Sequence, residues 1–254
     1  MSDIRIAIPS YKREELLKKK TLSCLERCEI PKDMIDIFVA NREQYNVYRE
    51  ALGGEYNIII GEEGIVGQRN FIAMYYPFGQ KVFCMDDDIK GLKRADGNTL
   101  REYTNLLGVV RYGFKKANEY KTPFFGVYHI PNPMYMKNKT STDIRHIAAA
   151  AFGFISTKDE RFLVTQPNKE EFERSIKYYD VYGVNIRINM FAVDANFYTA
   201  KGGLQETRGA EEEKRDTYYV NRMFPQYTEI QKASSSLSGI DLKTVDKTKR
   251  KRKK

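Results

Sequence analysis

Lys81-Val82-Phe83-Cys84-Met85-Asp86-Asp87-Asp88, continuing as Ile89-Lys90-Gly91-Leu92, is the stretch whose reading decides the fold. A short apolar run reads as a buried strand, and three carboxylates placed directly after it repel one another unless a cation joins them. On an extended chain Asp86 and Asp88 project to one side and can share a Mg²⁺ or Mn²⁺ that also binds a substrate diphosphate, while Asp87 faces the other way. The alternative is a helix N-cap with exposed acids, where aspartate is favoured.

Upstream, the position of this strand argues for the metal. Ile4 to Ile8 is a β-branched strand stopped by Pro9-Ser10, and Glu14 to about Cys28 carries leucines at helical spacing. Pro31 breaks that helix, Ile35 to Val39 reads as a second strand, Glu43 to Leu52 as a helix, Asn57 to Ile60 as a third strand and Gly67 to Met74 as a helix. Lys81 to Met85 is therefore the fourth strand of an alternating series. Such a series predicts an α/β fold with parallel strands, right-handed crossovers and ligands at the strands' carboxyl ends.

Downstream the rhythm changes. The pattern predicts a helix from about Thr99 to Tyr120, a strand Phe124 to His129, a polar loop through Asn138 to Asp143, and an apolar segment Ile147 to Ile155. A last helix near Lys169 to Tyr179 precedes a strand Val184 to Ala192. With no repeat and no Gly/Ser linker, residues 1–232 read as one domain, 1–98 its alternating half and 99–232 its variable half, followed by a flexible basic tail over 233–254.

The 254 residues are 41% hydrophobic, enough for a core, which excludes intrinsic disorder and a fibrous repeat. The formal charge is +9, and seven of those charges sit in Lys247 to Lys254, so the body is nearly neutral. No run of eighteen apolar residues and no signal-peptide pattern occurs, so a soluble cytoplasmic chain without a membrane partner is expected. Cys24, Cys28 and Cys84 lack a CxxC pair, which argues against a disulfide framework or structural zinc.

Two further segments carry chemistry. In IPSYKRE, residues 8–14, Pro9 fixes a turn at a strand's carboxyl end, Tyr11 can stack on a base, and Lys12 or Arg13 can meet phosphate. In GEEGIVGQRN, residues 61–70, glycines let backbone approach a ligand, and Gln68, Arg69 and Asn70 offer planar hydrogen-bonding groups to a base or ribose. Neither a GxGxxG spacing nor a GxxxxGK[ST] loop is present.

Together, IPSYKR, the GQRN helix and VFCMDDD resemble the donor-binding half of a metal-dependent GT-A glycosyltransferase. More narrowly, IAIPSYKR, IFVANREQY, GIVGQRNFIA and FCMDDDIKGL resemble the TET-associated glycosyltransferases, phage-type enzymes that add sugars to hydroxymethylated pyrimidines in DNA. The resemblance implies a Rossmann-like, mostly parallel sheet flanked by helices and a UDP-sugar donor whose diphosphate sits on Mn²⁺ or Mg²⁺ held by Asp86 and Asp88. It also implies that Pro9, Tyr11, Arg13, Arg69, Asn70 and Asp87 surround the uridine, and that the acceptor is the hydroxymethyl group of 5-hydroxymethylcytosine or a related pyrimidine in DNA. The GT-A half alone equally permits a polysaccharide or small-molecule acceptor.

Inverting enzymes of this kind place a carboxylate at the start of a later helix to take the acceptor's proton. NKEEFERSIKYY offers Glu170-Glu171, where the family pair is usually Glu-Asp. Glu171 is the candidate base, with Glu170 as a neighbour able to raise its pKa and Asp180 as the fallback. Glutamates in a first helical turn also simply complement the helix dipole. AAAAFGFIS, residues 148–156, reads as a small-residue segment near the sugar or as a buried strand. Lys201, Gly202, Gly203 and Arg208 read as a loop able to close over the diphosphate, or as a surface turn. His146 is read either as a ligand completing the metal shell or as structural. RYGFKK at 111–116, YHIPNPMYMKNK at 128–139 and the tail interleave aromatics with cations, which suits a DNA partner or ordinary packing and a solvated end.

Overall fold

A computed structural model of the chain describes residues 3–195, 209–231 and 239–243. The first four strands, β1 (Ile4–Pro9), β2 (Ile35–Val39), β3 (Asn57–Ile60) and β4 (Lys81–Met85), are parallel in the order β3-β2-β1-β4. Apolar side chains on both faces are what a strand covered on both sides requires. Ile6, Ile8, Phe83 and Met85 join one core layer, under α1 (Glu14–Leu17), α2 (Ser23–Arg27), α3 (Arg42–Ala51) and α5 (Leu106–Glu119). Ala7, Val82 and Cys84 join the other, under α4 (Ile65–Tyr75) and α6 (Glu170–Tyr182). A π-helical turn, Lys18–Leu22, joins α1 to α2.

Beyond β4 the sheet turns mixed. β5 (Ile89–Asp96), β6 (Thr99–Tyr103), β7 (Phe124–Tyr128), β8 (Thr140–Ser141), β9 (Ala151–Ile155) and β10 (Ile186–Ala195) complete ten strands in the order β3-β2-β1-β4-β9-β7-β10-β5-β6, with β8 on β10. β9 runs antiparallel between β4 and β7 and is held closely: a Cβ at Gly153 would lie 2.1 Å from the Phe125 ring.

The predicted helix from Thr99 is corrected. Its first part is β6, the second strand of the β5–β6 hairpin, turned at Gly97-Asn98, where Gly97 takes φ 59°, a value that glycine adopts without strain. The helix starts at Leu106, after Asn105 caps it by accepting from Gly108 N at 2.8 Å. Nor is α6 the last helix, because α7 (Ala210–Met223) follows, and β11 (Thr228–Ile230) pairs with β12 (Ile240–Leu242). Residues 240–242, read as part of the flexible tail, are thus a strand; residues 244–254 lie outside the described residues. Cys24, Cys28 and Cys84 are buried and unbridged. Among the described residues no helix is long and apolar enough to cross a membrane.

Candidate functional site

The carboxyl ends of β1 and β4 lie side by side, which brings IPSYKR against DDD. Asp87 turns inward and is buried: it accepts from Ser10 Oγ at 2.7 Å and from Arg13 Nη1 at 3.2 Å. Ser10 Oγ also bonds the fully buried Tyr48 hydroxyl at 2.7 Å, and that hydroxyl accepts from Arg13 N at 3.0 Å. Burial pushes the Asp87 carboxyl up, against the pull of Ser10 and Arg13. Asp87 therefore braces the β1 loop, leaving Asp86 and Asp88 as the half-buried pair of the triplet. The triplet is not extended; Asp87-Asp88 form a turn into β5. That turn is tied to the π-helical segment by Thr21, whose hydroxyl donates to Asp86 O at 2.7 Å and accepts from Ile89 N at 2.9 Å. Asp88 is pushed up to about 7 by burial and then by the charges of Asp86 and Asp87.

Arg69, buried on α4, donates to Asp86 Oδ1 at 2.6 Å and to Ala149 O at 3.3 Å, and its Nε lies 3.4 Å from Glu170 Oε1. Glu170 also pairs with Arg174, one helical turn on. Arg174 stands 4.3 Å from the Phe152 ring centroid and is pushed down to about 9 by burial and by Arg69. Glu170 is thereby a buried counter-ion rather than an acid facing a cleft.

Glu171 points elsewhere. Its side chain is 23% exposed, against 3% for Glu170, and its Oε1 lies 3.8 Å from His146 Nε2. Burial pushes this carboxyl up, but the facing His146 outweighs it and holds Glu171 below the usual carboxylate range. The expected influence of Glu170 is corrected accordingly. His146 stacks on Phe172, with centroids 4.4 Å apart, and meets His129 edge-on at 5.9 Å. His129 is pushed down to about 4 by burial, then by His146 and Arg187. His146 thus faces Glu171; among the described residues no group of three or more His, Cys, Asp or Glu side chains converges as a metal cage.

Other expected contacts are committed within the fold. Gln68 Oε1 accepts from Glu62 N at 2.9 Å, closing the 61–64 loop, and Asn70 exchanges two 2.8 Å hydrogen bonds with the Val164 backbone. Asp180 accepts from the Tyr227 hydroxyl near the far end of α6, about 15 Å along the helix from Glu170, which removes it as a fallback base. Pro9, Tyr11 and Arg13 remain part-exposed at the strand edge. Lys201 and Arg208 lie outside the described residues. Ser10, Thr21 and Tyr48 went unread, since a hydroxyl's partner across 38 to 77 residues leaves no local pattern. Arg174 carried a signal, the Glu-Arg spacing of four on one helix face.

A parallel β3-β2-β1-β4 half extended by mixed strands, with carboxylates at the end of β4, is a GT-A fold. The chain is similar to glucosyl-3-phosphoglycerate synthase from Mycobacterium tuberculosis in complex with phosphoglyceric acid, with TM-score 0.55 and 10% identity over 96% of this chain and 87% of that one. It is likewise similar to that enzyme in complex with Mn²⁺, UDP and glucosyl-3-phosphoglycerate, with TM-score 0.52 and 10% identity over 96% and 88%. Mannosyl-3-phosphoglycerate synthase from Rubrobacter xylanophilus gives 0.50 and 11% over 96% and 85%. No family model and no curated protein matches the sequence.

Proposed function

We propose that the chain is a metal-dependent glycosyltransferase that moves a sugar from a UDP-sugar to the hydroxymethyl group of 5-hydroxymethylcytosine, or a related hydroxymethylpyrimidine, in DNA. One observation carries the reaction class: at one edge of a GT-A sheet stand two half-buried carboxylates, Asp86 and Asp88, and Arg69 ties Asp86 to Glu170 at the start of the helix whose next residue is the part-exposed Glu171. The likeness to sugar transferases bound to Mn²⁺ and UDP supports it. The acceptor assignment is supported by the quoted resemblance and by the cationic and aromatic segments of the sequence.

The donor set fits Mn²⁺ or Mg²⁺, since Asp86 and Asp88 offer only hard oxygen ligands and leave positions for a diphosphate and water. Bound there, such a cation neutralises charge on the departing diphosphate. Arg69 holds Asp86 in place, Asp87 fixes the loop that presents Tyr11 to the base, and Lys201 and Arg208 belong to a segment suited to the diphosphate. Glu171, kept ionised by His146, accepts the proton of the acceptor hydroxyl as its oxygen bonds the anomeric carbon. The nucleoside diphosphate leaves with the electron pair of the broken bond.

A second reading, transfer to a small acidic acceptor, is favoured by the likeness to a synthase bound to phosphoglyceric acid. Mass spectrometry decides between them after incubation with Mn²⁺, a panel of UDP-sugars and either hydroxymethylcytosine DNA or 3-phosphoglycerate. A sugar-sized mass gain on DNA supports the first reading. A gain on the small acid alone assigns the second, and no gain on either with any donor refutes both.

A further inference from the structure

The loop after β7 carries large apolar side chains that stand exposed among the described residues. Ile130 is 49%, Met134 68% and Tyr135 61% exposed. Three large apolar side chains exposed within six residues of one loop make it a candidate contact surface. Its place follows from strand register. Phe152 of β9 pairs with Cys84 on one side and Gly126 on the other, so Tyr128 stands level with Asp86, two strand spacings or about 10 Å across the sheet. The loop therefore leaves the same edge as DDD, and His129, at its root, is the neighbour of His146 and hence of Glu171.

The loop is also held in shape. Asn132 Oδ1 accepts from Met134 N at 3.0 Å, its carbonyl accepts from Tyr135 N at 3.2 Å and Met136 N at 3.0 Å, and Met136 is buried. Lys137 N donates to Asn189 O at 3.2 Å, Asn189 N donates to Lys139 O at 3.0 Å, and Thr140-Ser141 pair with β10. Apolar tips are thus presented by a scaffold already paid for in hydrogen bonds. From Ile130 to Thr142 there is no acidic residue, while Lys137 and Lys139 are exposed beside Tyr135. Lys137 Nζ reaches Met134 O at 3.3 Å, which uses one of its three donors.

We infer that the 130–139 loop is a nucleic-acid wedge, on which Tyr135 and Met134 stack against an unpaired or extruded base while Lys137 and Lys139 take the flanking phosphates. The inference rests on the DNA-acceptor reading and adds to it the surface that presents the base to Glu171. A polyanion with π faces suits this surface because aromatic stacking and cationic backbone contacts are how single strands are held.

The test measures anisotropy of a fluorescein-labelled single-stranded oligonucleotide with one 5-hydroxymethylcytosine, using the full chain. Tyr135→Ala is expected to weaken binding about 5- to 150-fold, the range of one lost base stack, with Tyr135→Phe close to wild type. Lys137→Gln with Lys139→Gln is expected to lower the slope of log affinity against log salt by about 1.4, two phosphates' worth for a single strand. UDP affinity in Mn²⁺ stays unchanged in every variant. Wild-type affinity and salt slope in all these variants would overturn the wedge while leaving glycosylation of DNA intact. A wild-type chain that binds no DNA overturns both the wedge and the acceptor reading. Binding that depends on Tyr135 without any sugar transfer to the oligonucleotide upholds the wedge and removes the acceptor reading. Loss of binding to phosphatidylglycerol vesicles in Tyr135→Ala, with DNA binding untouched, assigns the surface to lipid and overturns the inference.

Discussion

Glu170 and Glu171 are adjacent in sequence, and replacing each by glutamine should have opposite consequences. The Glu170 side chain is 3% exposed between Arg69 at 4% and Arg174 at 7%. In Glu170→Gln, Arg69 keeps Asp86, but Arg174 loses the one carboxylate within ion-pair distance among the described residues. Breaking a buried pair from one side costs about 3–5 kcal/mol, because a desolvated charge is left behind. For a domain of this size that lowers Tm by roughly 6–20 °C. The Glu171 pair with His146 is longer, at 3.8 Å, and part-exposed, so Glu171→Gln should cost about 1 kcal/mol or less. Removing a general base should instead slow transfer by roughly 10²–10⁴-fold while UDP-sugar affinity is kept. Circular-dichroism melting and single-turnover transfer at saturating donor measure the two effects. The reverse pattern, a Glu170→Gln protein that melts with wild type and a Glu171→Gln protein that unfolds early but turns over normally, would refute the assignment of the two roles.

Asp88→Asn should abolish Mn²⁺-dependent UDP binding in calorimetry and melt no lower than wild type, since it removes one of three crowded carboxylates; full transfer by this variant, or by wild type in excess chelator, counts against the metal. His129 has a folded pKa of about 4, below its ordinary 6.5, so the stability it lends is fully present above pH 6.5 and lost as pH falls toward 4. That loss is about 2 kcal/mol after allowance for solvent reaching the ring, and His129→Gln should flatten it in denaturant titrations at pH 7 and pH 4.5. Deleting Asp246 to Lys254 should weaken binding to all DNA sequences alike and flatten its salt dependence, with transfer at saturation preserved; an unchanged salt slope would show that these residues do not touch DNA.

The first four strands were readable to the residue or nearly so, because each is a short β-branched or apolar run with Pro, Gly, Asn or acids at or within a few residues of its ends. The β5–β6 hairpin was not, although Asp96-Gly97 is a turn signal, because the leucines at 100, 106 and 107 blur into the helical period of the next helix. In the site, residue type was legible and direction was not. Asp86 and Asp88 stand where their place after an apolar run put them, directly beyond β4. Gln68 and Asn70 are planar amides that suit a nucleotide equally well, yet their partners are Glu62 N and the Val164 backbone. Glu170 and Glu171 sit about 100° apart around one helix, so which faces Arg69 and which faces His146 depends on how α6 rolls against the sheet.

The antiparallel seat of β9 bears on the order in which the chain folds. β1 to β4 leave the ribosome before β9 as a contiguous parallel unit, yet the outer edge of β4 is covered only when Ala151–Ile155 arrives, some 66 residues after Met85. Until then Val82, Phe83, Cys84 and Met85 line an open, uncharged edge suited to pairing with a neighbouring chain. The parallel half is therefore continuous in sequence but not separable as a module: expressed alone as residues 1–98, it should aggregate through β4, and supplying the remainder as a second polypeptide should rescue it.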